Sequence, residues 1–267
     1  MKQIDFRFWP EGKTKALTMS YDDGRAEDRK LIEIFNRNGI KGTFHLNSGA
    51  FQDRNHINAE EVPALYQGHE VSVHTLTHPD PTNIPQAELV KEVCRDRENL
   101  ERLTGSIVNG MSYPYGRYNQ KVIETLKGLG IVYSRTVKST GSFALPEDFM
   151  TWHPTIHHKG NLMEFCDDFL HMRTTIKWPV LFYVWGHSYE FSNDNNWDLI
   201  EEFCKTVSGQ EDVWYATNID IYYYVTATRS LVFSCDTSAV YNPSAIDVWI
   251  GVEGHPFKIS AGTSVKL

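Results

Sequence analysis

Long apolar runs are missing from this sequence. No stretch approaches the ~20 residues that carry a helix across a bilayer, so no membrane span is expected. Cysteine is scarce. Cys94, Cys166, Cys204 and Cys235 are the only four, and no two form a C-x-x-C pair. That spacing favours buried, reduced thiols over a disulfide frame or a zinc knuckle. Positive charge also falls short: Lys plus Arg number 26 against 34 Asp plus Glu in 267 residues, a net −8. A nucleic-acid partner is therefore not expected. No G-x-G-x-x-G opens the first helical segment, which argues against a dinucleotide fold. Repeats and low-complexity tracts are absent, so coiled coils and collagens are excluded. Between Met1 and Pro10 charges interrupt every apolar stretch, so no secretory h-region is visible. A cytoplasmic chain is expected, or a secreted one whose leader has been removed.

What is present is enough to build a sizeable core. Hydrophobic residues make up 41%, aromatics 13% and charged residues 22%, which excludes intrinsic disorder. Short apolar runs alternate with amphipathic segments. Strands are expected at 16–20, 42–46, 70–74, 107–111, 131–134, 180–185 and 213–216. Helices are expected at 25–38, 60–66, 85–103, 120–129, 161–172, 197–207 and 219–227. About seven strand–helix units favour an α/β fold, a distorted (β/α)7-type parallel barrel, over an open doubly wound sheet. From Leu231 the pattern changes to short apolar or alternating runs between turn residues such as Asn242-Pro243 and Gly254. The chain thus divides into a barrel over 1–230 and a small β-strand extension over 231–267, packed on the barrel. That extension could bind sugar, dimerise or brace, and the oligomeric state stays open.

Three strand ends carry residues able to do chemistry, where α/β folds keep their sites. Ser20-Tyr21-Asp22-Asp23-Gly24 places two carboxylates side by side, which costs stability unless a cation holds one of them; it is also a common turn string. His74-Thr75-Leu76-Thr77-His78 spaces two imidazoles i, i+4, so a single helical turn would put both on one side, ready for a divalent metal with a carboxylate as third ligand. His69 reads as a packing or surface residue. His187 ends the strand Phe182-Tyr183-Val184-Trp185-Gly186-His187, as a satisfied core histidine or as a general acid held by a rigid strand. Trp152-His153-Pro154-Thr155-Ile156-His157-His158 reads as an exposed loop and not as a second metal site, with Trp152 able to line a sugar groove. Tyr113, Tyr115 and Trp185 could stack on a pyranose or could be packing.

Taken in order along Thr14 to Thr228, these residues resemble the polysaccharide deacetylase family, the NodB homology domain or carbohydrate esterase family 4. Ser20-Tyr21-Asp22-Asp23-Gly24 is similar to the family's Thr-Phe-Asp-Asp-Gly, and His74-Thr75-Leu76-Thr77-His78 matches its His-[Ser/Thr]-x-x-His after Gly68-His69-Glu70. Ser112-Tyr113-Pro114-Tyr115-Gly116 is similar to Arg-x-Pro-Tyr-Gly, and Val184-Trp185-Gly186-His187 to Leu-x-Leu-His. The resemblance implies one divalent metal, usually Zn2+, held by Asp23, His74 and His78. It implies Asp22 as general base, His187 as general acid and the Tyr115 backbone N–H on the developing oxyanion. The partner so implied is an N- or O-acetylated carbohydrate from which a metal-dependent hydrolase removes acetyl groups. The alternatives are a cyclic amide or ureide hydrolase on the same fold and a catalytically silent carbohydrate-binding homologue. Two departures stand out. The family's arginine falls on Ser112, and its Asp-x-x-Asp-Trp segment has no counterpart, the stretch reading Tyr133-Ser134-Arg135-Thr136-Val137. Arg135 either replaces the missing arginine and pairs with Asp22 or is an ordinary surface residue. His187 is left without an assigned partner.

Overall fold

The computed structural model of the chain describes residues 2–172 and 178–267. A two-residue strand, β1 (Ile4–Asp5), precedes the main sheet. Strand β2 (Lys15–Asp22) is buried at all eight positions, and its sequence shows how the barrel is layered. Leu17, Met19 and Tyr21 face the helices and join the large outer core. Ala16, Thr18, Ser20 and Asp22 alternate with them and point to the interior. Helix α1 (Asp28–Arg37) buries Leu31, Ile32, Ile34 and Phe35 against that outer face. It stops where Gly39 turns left-handed (φ 66°) and the Ile40 N–H returns to the Phe35 carbonyl at 2.9 Å.

The pattern then repeats. Strand β3 (Gly42–Leu46), helix α2 (Val62–Leu65), strand β4 (Glu70–Val73), helix α3 (Gln86–Thr104), strand β5 (Gly110–Ser112), helix α4 (Gln120–Gly128) and strand β6 (Tyr133–Arg135) follow in turn. After them come β7 (Ile156–His157), α5 (Leu162–His171), β8 (Val180–His187), α6 (Tyr189–Asn193), α7 (Trp197–Val207), β9 (Val213–Tyr215) and α8 (Asn218–Arg229). The strands lie parallel in the order β6-β5-β4-β3-β2-β8-β7, and β9 pairs with residues 15–17 of β2. The sheet curls until its ends almost meet. Trp152 bridges Arg135 of β6, and a few residues later the Thr155 N–H donates to the Tyr183 carbonyl of β8 at 2.9 Å. The extended segment 152–157 therefore spans the seam of a distorted barrel.

Each expected strand of the barrel is present. The differences are local. The strand expected at 107–111 begins only at Gly110. The helix expected at 60–66 splits into a 3-10 turn at Ala59–Glu61 and the short α2, whose second residue is Pro63. Strand β7 and helix α6 were not legible, being two and five residues long. Cys166 and Cys204 are buried and Cys94 and Cys235 exposed, and all four are free.

Beyond the barrel the chain forms β10 (Val232–Phe233), β11 (Ala239–Tyr241), β12 (Val248–Val252), β13 (His255–Ile259) and β14 (Ser264–Lys266). They build two three-stranded antiparallel sheets, β1-β12-β13 and β10-β11-β14. Strand β1 thus ties the start of the chain to its end. Val240, Val248, Ile250 and Ile259 pack with Ala227 of α8 in a small core of their own.

Candidate active site

The inward-facing positions converge at the C-terminal ends of the strands. Asp22 ends β2, His74 follows β4, Ser112 ends β5, Arg135 ends β6 and His187 ends β8. The strand register sets Asp22 beside His45 on one side and His187 on the other. All but His187 are buried, Asp22 to 3% exposure and Arg135 to 0%.

Asp23, His74 and His78 form one group whose ligand atoms all lie within 4.8 Å of one another. His74 Nε2 is 3.5 Å and His78 Nε2 3.7 Å from Asp23 Oδ1. The tautomer of His74 follows from its neighbours. Its Nδ1 sits 2.9 Å from the Ser112 carbonyl oxygen, which can only accept, and 2.7 Å from Ser112 Oγ. Ser112 Oγ–H in turn donates to Asp22 Oδ1 at 3.1 Å. Nδ1 therefore carries the hydrogen and Nε2 presents a lone pair toward Asp23. Burial lowers the His74 pKa further and keeps the ring neutral. One carboxylate and two imidazoles, that of His74 fixed in its tautomer, fit a divalent cation of the zinc type.

The spacing of the two histidines works differently from the expected helical turn. No helix covers residues 74–79. Thr75 (φ 65°) and His78 (φ 59°) take left-handed backbone instead, as does Asp23 (φ 78°). For a β-branched threonine this is costly and persists only when the surroundings impose it. They do. Asn47 Nδ2 donates to the His74 and Thr75 carbonyls at 2.6 and 2.8 Å. Asp96 of α3 accepts the His74 N–H at 3.1 Å. Glu92, one turn earlier, accepts the Thr77 N–H and hydroxyl, both at 2.8 Å. Glu92 and Asp96 escaped the sequence reading because an amphipathic helix gives no sign of which polar positions turn inward, and Asn47 because a polar residue just after a strand looks like any other turn residue.

Asp22 is held by a cation. Arg135 Nη2 donates to Asp22 Oδ2, and its guanidinium lies 4.3 Å above the Trp185 ring. Burial alone would raise the Asp22 carboxyl; Arg135 first, then His74, His45 and His187, outweigh it and hold the group well below the ordinary carboxylate range. The structure thus brings Arg135 to the aspartate next to the metal-type group, in place of the arginine absent at Ser112.

His187 has a partner. Its Nδ1–H donates to Glu190 Oε2 at 3.2 Å, and its backbone N–H donates to the same oxygen at 3.0 Å. Burial would lower the His187 pKa, but Glu190, Asp22 and Asp23 together raise it. Glu190 stands three residues on, in the first turn of α6, and that i, i+3 spacing is the signal by which it could have been found.

Of Tyr113, Tyr115, Trp152 and Trp185, Tyr115 is the one exposed beside the histidines. It is 62% exposed, left-handed (φ 57°), and its ring meets His78 edge-on at 4.6 Å. Trp152 does not line a groove: it is buried against Tyr133, Phe149 and Tyr183. Tyr113 is buried with its hydroxyl on the Met150 carbonyl, and Trp185 is buried too. The three-histidine stretch is not an exposed loop, since His157 lies in β7 and His158 is fully buried.

The strand ends of this parallel barrel thus gather two imidazoles, an aspartate beside them, an ion-paired second aspartate and a carboxylate-backed histidine. Residues 10–134, which carry both aspartates and both metal-type histidines, match the family model described as polysaccharide deacetylase. The chain is 28% identical over 116 residues to a chitin deacetylase of a Pestalotiopsis species, covering 42% of this chain and 38% of the relative. It is 28% identical over 127 residues to a peptidoglycan-N-acetylglucosamine deacetylase of Listeria monocytogenes, covering 46% of this chain and 26% of the relative. Its fold is shared with a family 4 acetyl xylan esterase of Clostridium thermocellum solved with a cobalt ion (TM-score 0.52, 11% identity, 78% of this chain and 90% of that one). The chain spans about a quarter to two fifths of the length of the curated relatives it matches. Among the described residues no helix is long and apolar enough to cross a membrane.

Proposed function

We propose that this chain is a metal-dependent hydrolase that removes acetyl groups from an N- or O-acetylated carbohydrate. The observation that carries the reading is the meeting of Asp23, His74 and His78 beside an Asp22 that Arg135 keeps ionised. Asp23, His74 and His78 hold the cation, and the mixed carboxylate–imidazole donor set favours zinc. A divalent cation bound there supplies Lewis acidity to the acyl oxygen and to water.

The chain's own groups do the rest. Asp22 accepts the proton of the attacking water, a task open only to a carboxylate, and the Arg135 pair maintains that form. The Tyr115 backbone N–H donates to the oxyanion as it develops. His187 gives its Nε2 proton to the departing amine or alcohol, with Glu190 on Nδ1 stabilising the imidazolium. An amine cannot leave as an anion, so its departure requires this proton. The exposed Tyr115 ring offers a face to the sugar.

The silent reading is disfavoured because the arginine missing at Ser112 is supplied by Arg135, and the cyclic amide reading because the three cation ligands are complete. Acetate release from acetylated chito-oligosaccharide, xylan and peptidoglycan tests the assignment. Asp22→Asn should keep the bound zinc and lose about 10²–10⁴-fold in rate. Full activity in Asp22→Asn, or no acetate from any of the three substrates, would overturn it.

A further inference from the structure

A second set of donor atoms meets beside the first. His157 Nε2, His187 Nδ1 and a Glu190 carboxylate oxygen lie within 4.8 Å of one another. They come from the ends of β7 and β8 and the first turn of α6. His157 Nε2 and His187 Nδ1 each stand 3.2 Å from Glu190 Oε2. That is longer than the ~2.7–2.9 Å of a charge-assisted N–H···O bond. It is close to the ~3.3–3.4 Å that separates two ligands of a tetrahedral zinc with bonds of ~2.0–2.1 Å.

An independent observation points the same way. His158 is fully buried, stacked between Tyr21 and Phe191, and seated against Gly186, where any Cβ would collide with its Nδ1. Its Nε2 is 3.4 Å from the same Glu190 oxygen, yet among the described residues neither ring nitrogen has a hydrogen-bond partner. Lys159 does not take that place. Its Nζ binds the other oxygen, Glu190 Oε1, at 3.2 Å, and Asp194 at 2.7 Å.

We infer that His157, His187 and Glu190 form a second divalent-cation site of the zinc type, with His158 Nε2 as a further donor within reach. A cation there takes the lone pair of His187 Nδ1, and the proton that Nδ1 carried passes to solvent. Glu190 Oε2 turns from the imidazolium to the cation. A ligated neutral imidazole has no acidic proton of useful strength to give, so the filled site switches the enzyme off. This consequence rests on the reading of His187 as general acid; the site itself does not.

Zinc titration of the full chain by calorimetry and elemental analysis tests it. The wild type should bind two equivalents, the second more weakly. His157→Ala should bind one, and that retained equivalent doubles as the folding control. His78→Ala should lose the tight equivalent and keep the weaker one. A single equivalent in the wild type, or the same titration for His157→Ala and wild type, would overturn the site. In the acetate assay, free zinc at about ten times the second Kd should cut wild-type activity about tenfold, as 1/(1 + [Zn]/Kd) requires, and spare His157→Ala. Loss of the second equivalent in His157→Ala without zinc inhibition of the wild type would support the site and overturn His187 as the acid.

Discussion

Arg135→Met is the perturbation whose size follows most directly from the packing. Arg135 is 0% and Asp22 3% exposed, and the two are joined by the Nη2–Oδ2 contact. Removing one partner of a buried pair leaves an uncompensated charge, which costs about 3–5 kcal/mol. Among the described residues only Ser112 Oγ–H, at 3.1 Å, remains as a donor to the stranded carboxylate, and the stacking on Trp185 is lost as well. Asp22→Asn strands the guanidinium and should cost a similar amount. The double variant Arg135→Met/Asp22→Asn removes both charges and should recover most of the loss, because a buried pair replaced by neutral groups of similar volume is often close to neutral. Urea denaturation of the metal-free protein measures all four corners of the cycle. The sign with pH is also fixed. The Asp22 pKa is depressed in the folded state, so its contribution is present above the unfolded carboxylate value of ~3.9 and is lost as pH falls through the folded value. Arg135→Met should therefore flatten the acid side of the stability curve. A loss below about 1 kcal/mol for Arg135→Met, the value of an exposed pair, or a double variant no better than the singles, would refute the reasoning.

Other expectations concern the acid and the histidine loop. Glu190 raises the pKa of His187, and an acid works only while protonated, so activity should fall as pH rises through that value. In Glu190→Gln the high-pH limb of kcat should move to lower pH, with the low-pH limb in place; an unmoved limb contradicts the pairing. Asp96→Asn and Glu92→Gln loosen the segment that carries His74 and His78. Each should weaken zinc binding by about 10–100-fold, the usual cost of an outer-layer partner, measured by competition with a chelator.

The sequence carried the barrel because its strands and helices have clear periods, and it placed Asp22, Asp23, His74, His78 and His187 at or just after strand ends, where the structure has them. Arg135 could be placed only as one of two alternatives, since a short strand such as Tyr133–Arg135 gives no sign of which face is inward. The geometry of the His74–His78 segment was misread as helical because i, i+4 spacing does not reveal left-handed backbone at Thr75 and His78. Trp152 and His158 were read as exposed because a stretch with little periodicity resembles a loop, whereas here it spans the barrel seam and is buried by it. Strand β1 was invisible, since its pairing with β12 joins residues at opposite ends of the chain.

The most direct test of the central claim is a crystal structure of the zinc-loaded protein with anomalous scattering collected at the zinc edge. We expect a peak at ~2.0–2.1 Å from Asp23, His74 Nε2 and His78 Nε2, with Asp22 still paired to Arg135. A map without a peak among those three side chains, or with zinc bound only elsewhere on the chain, would contradict it.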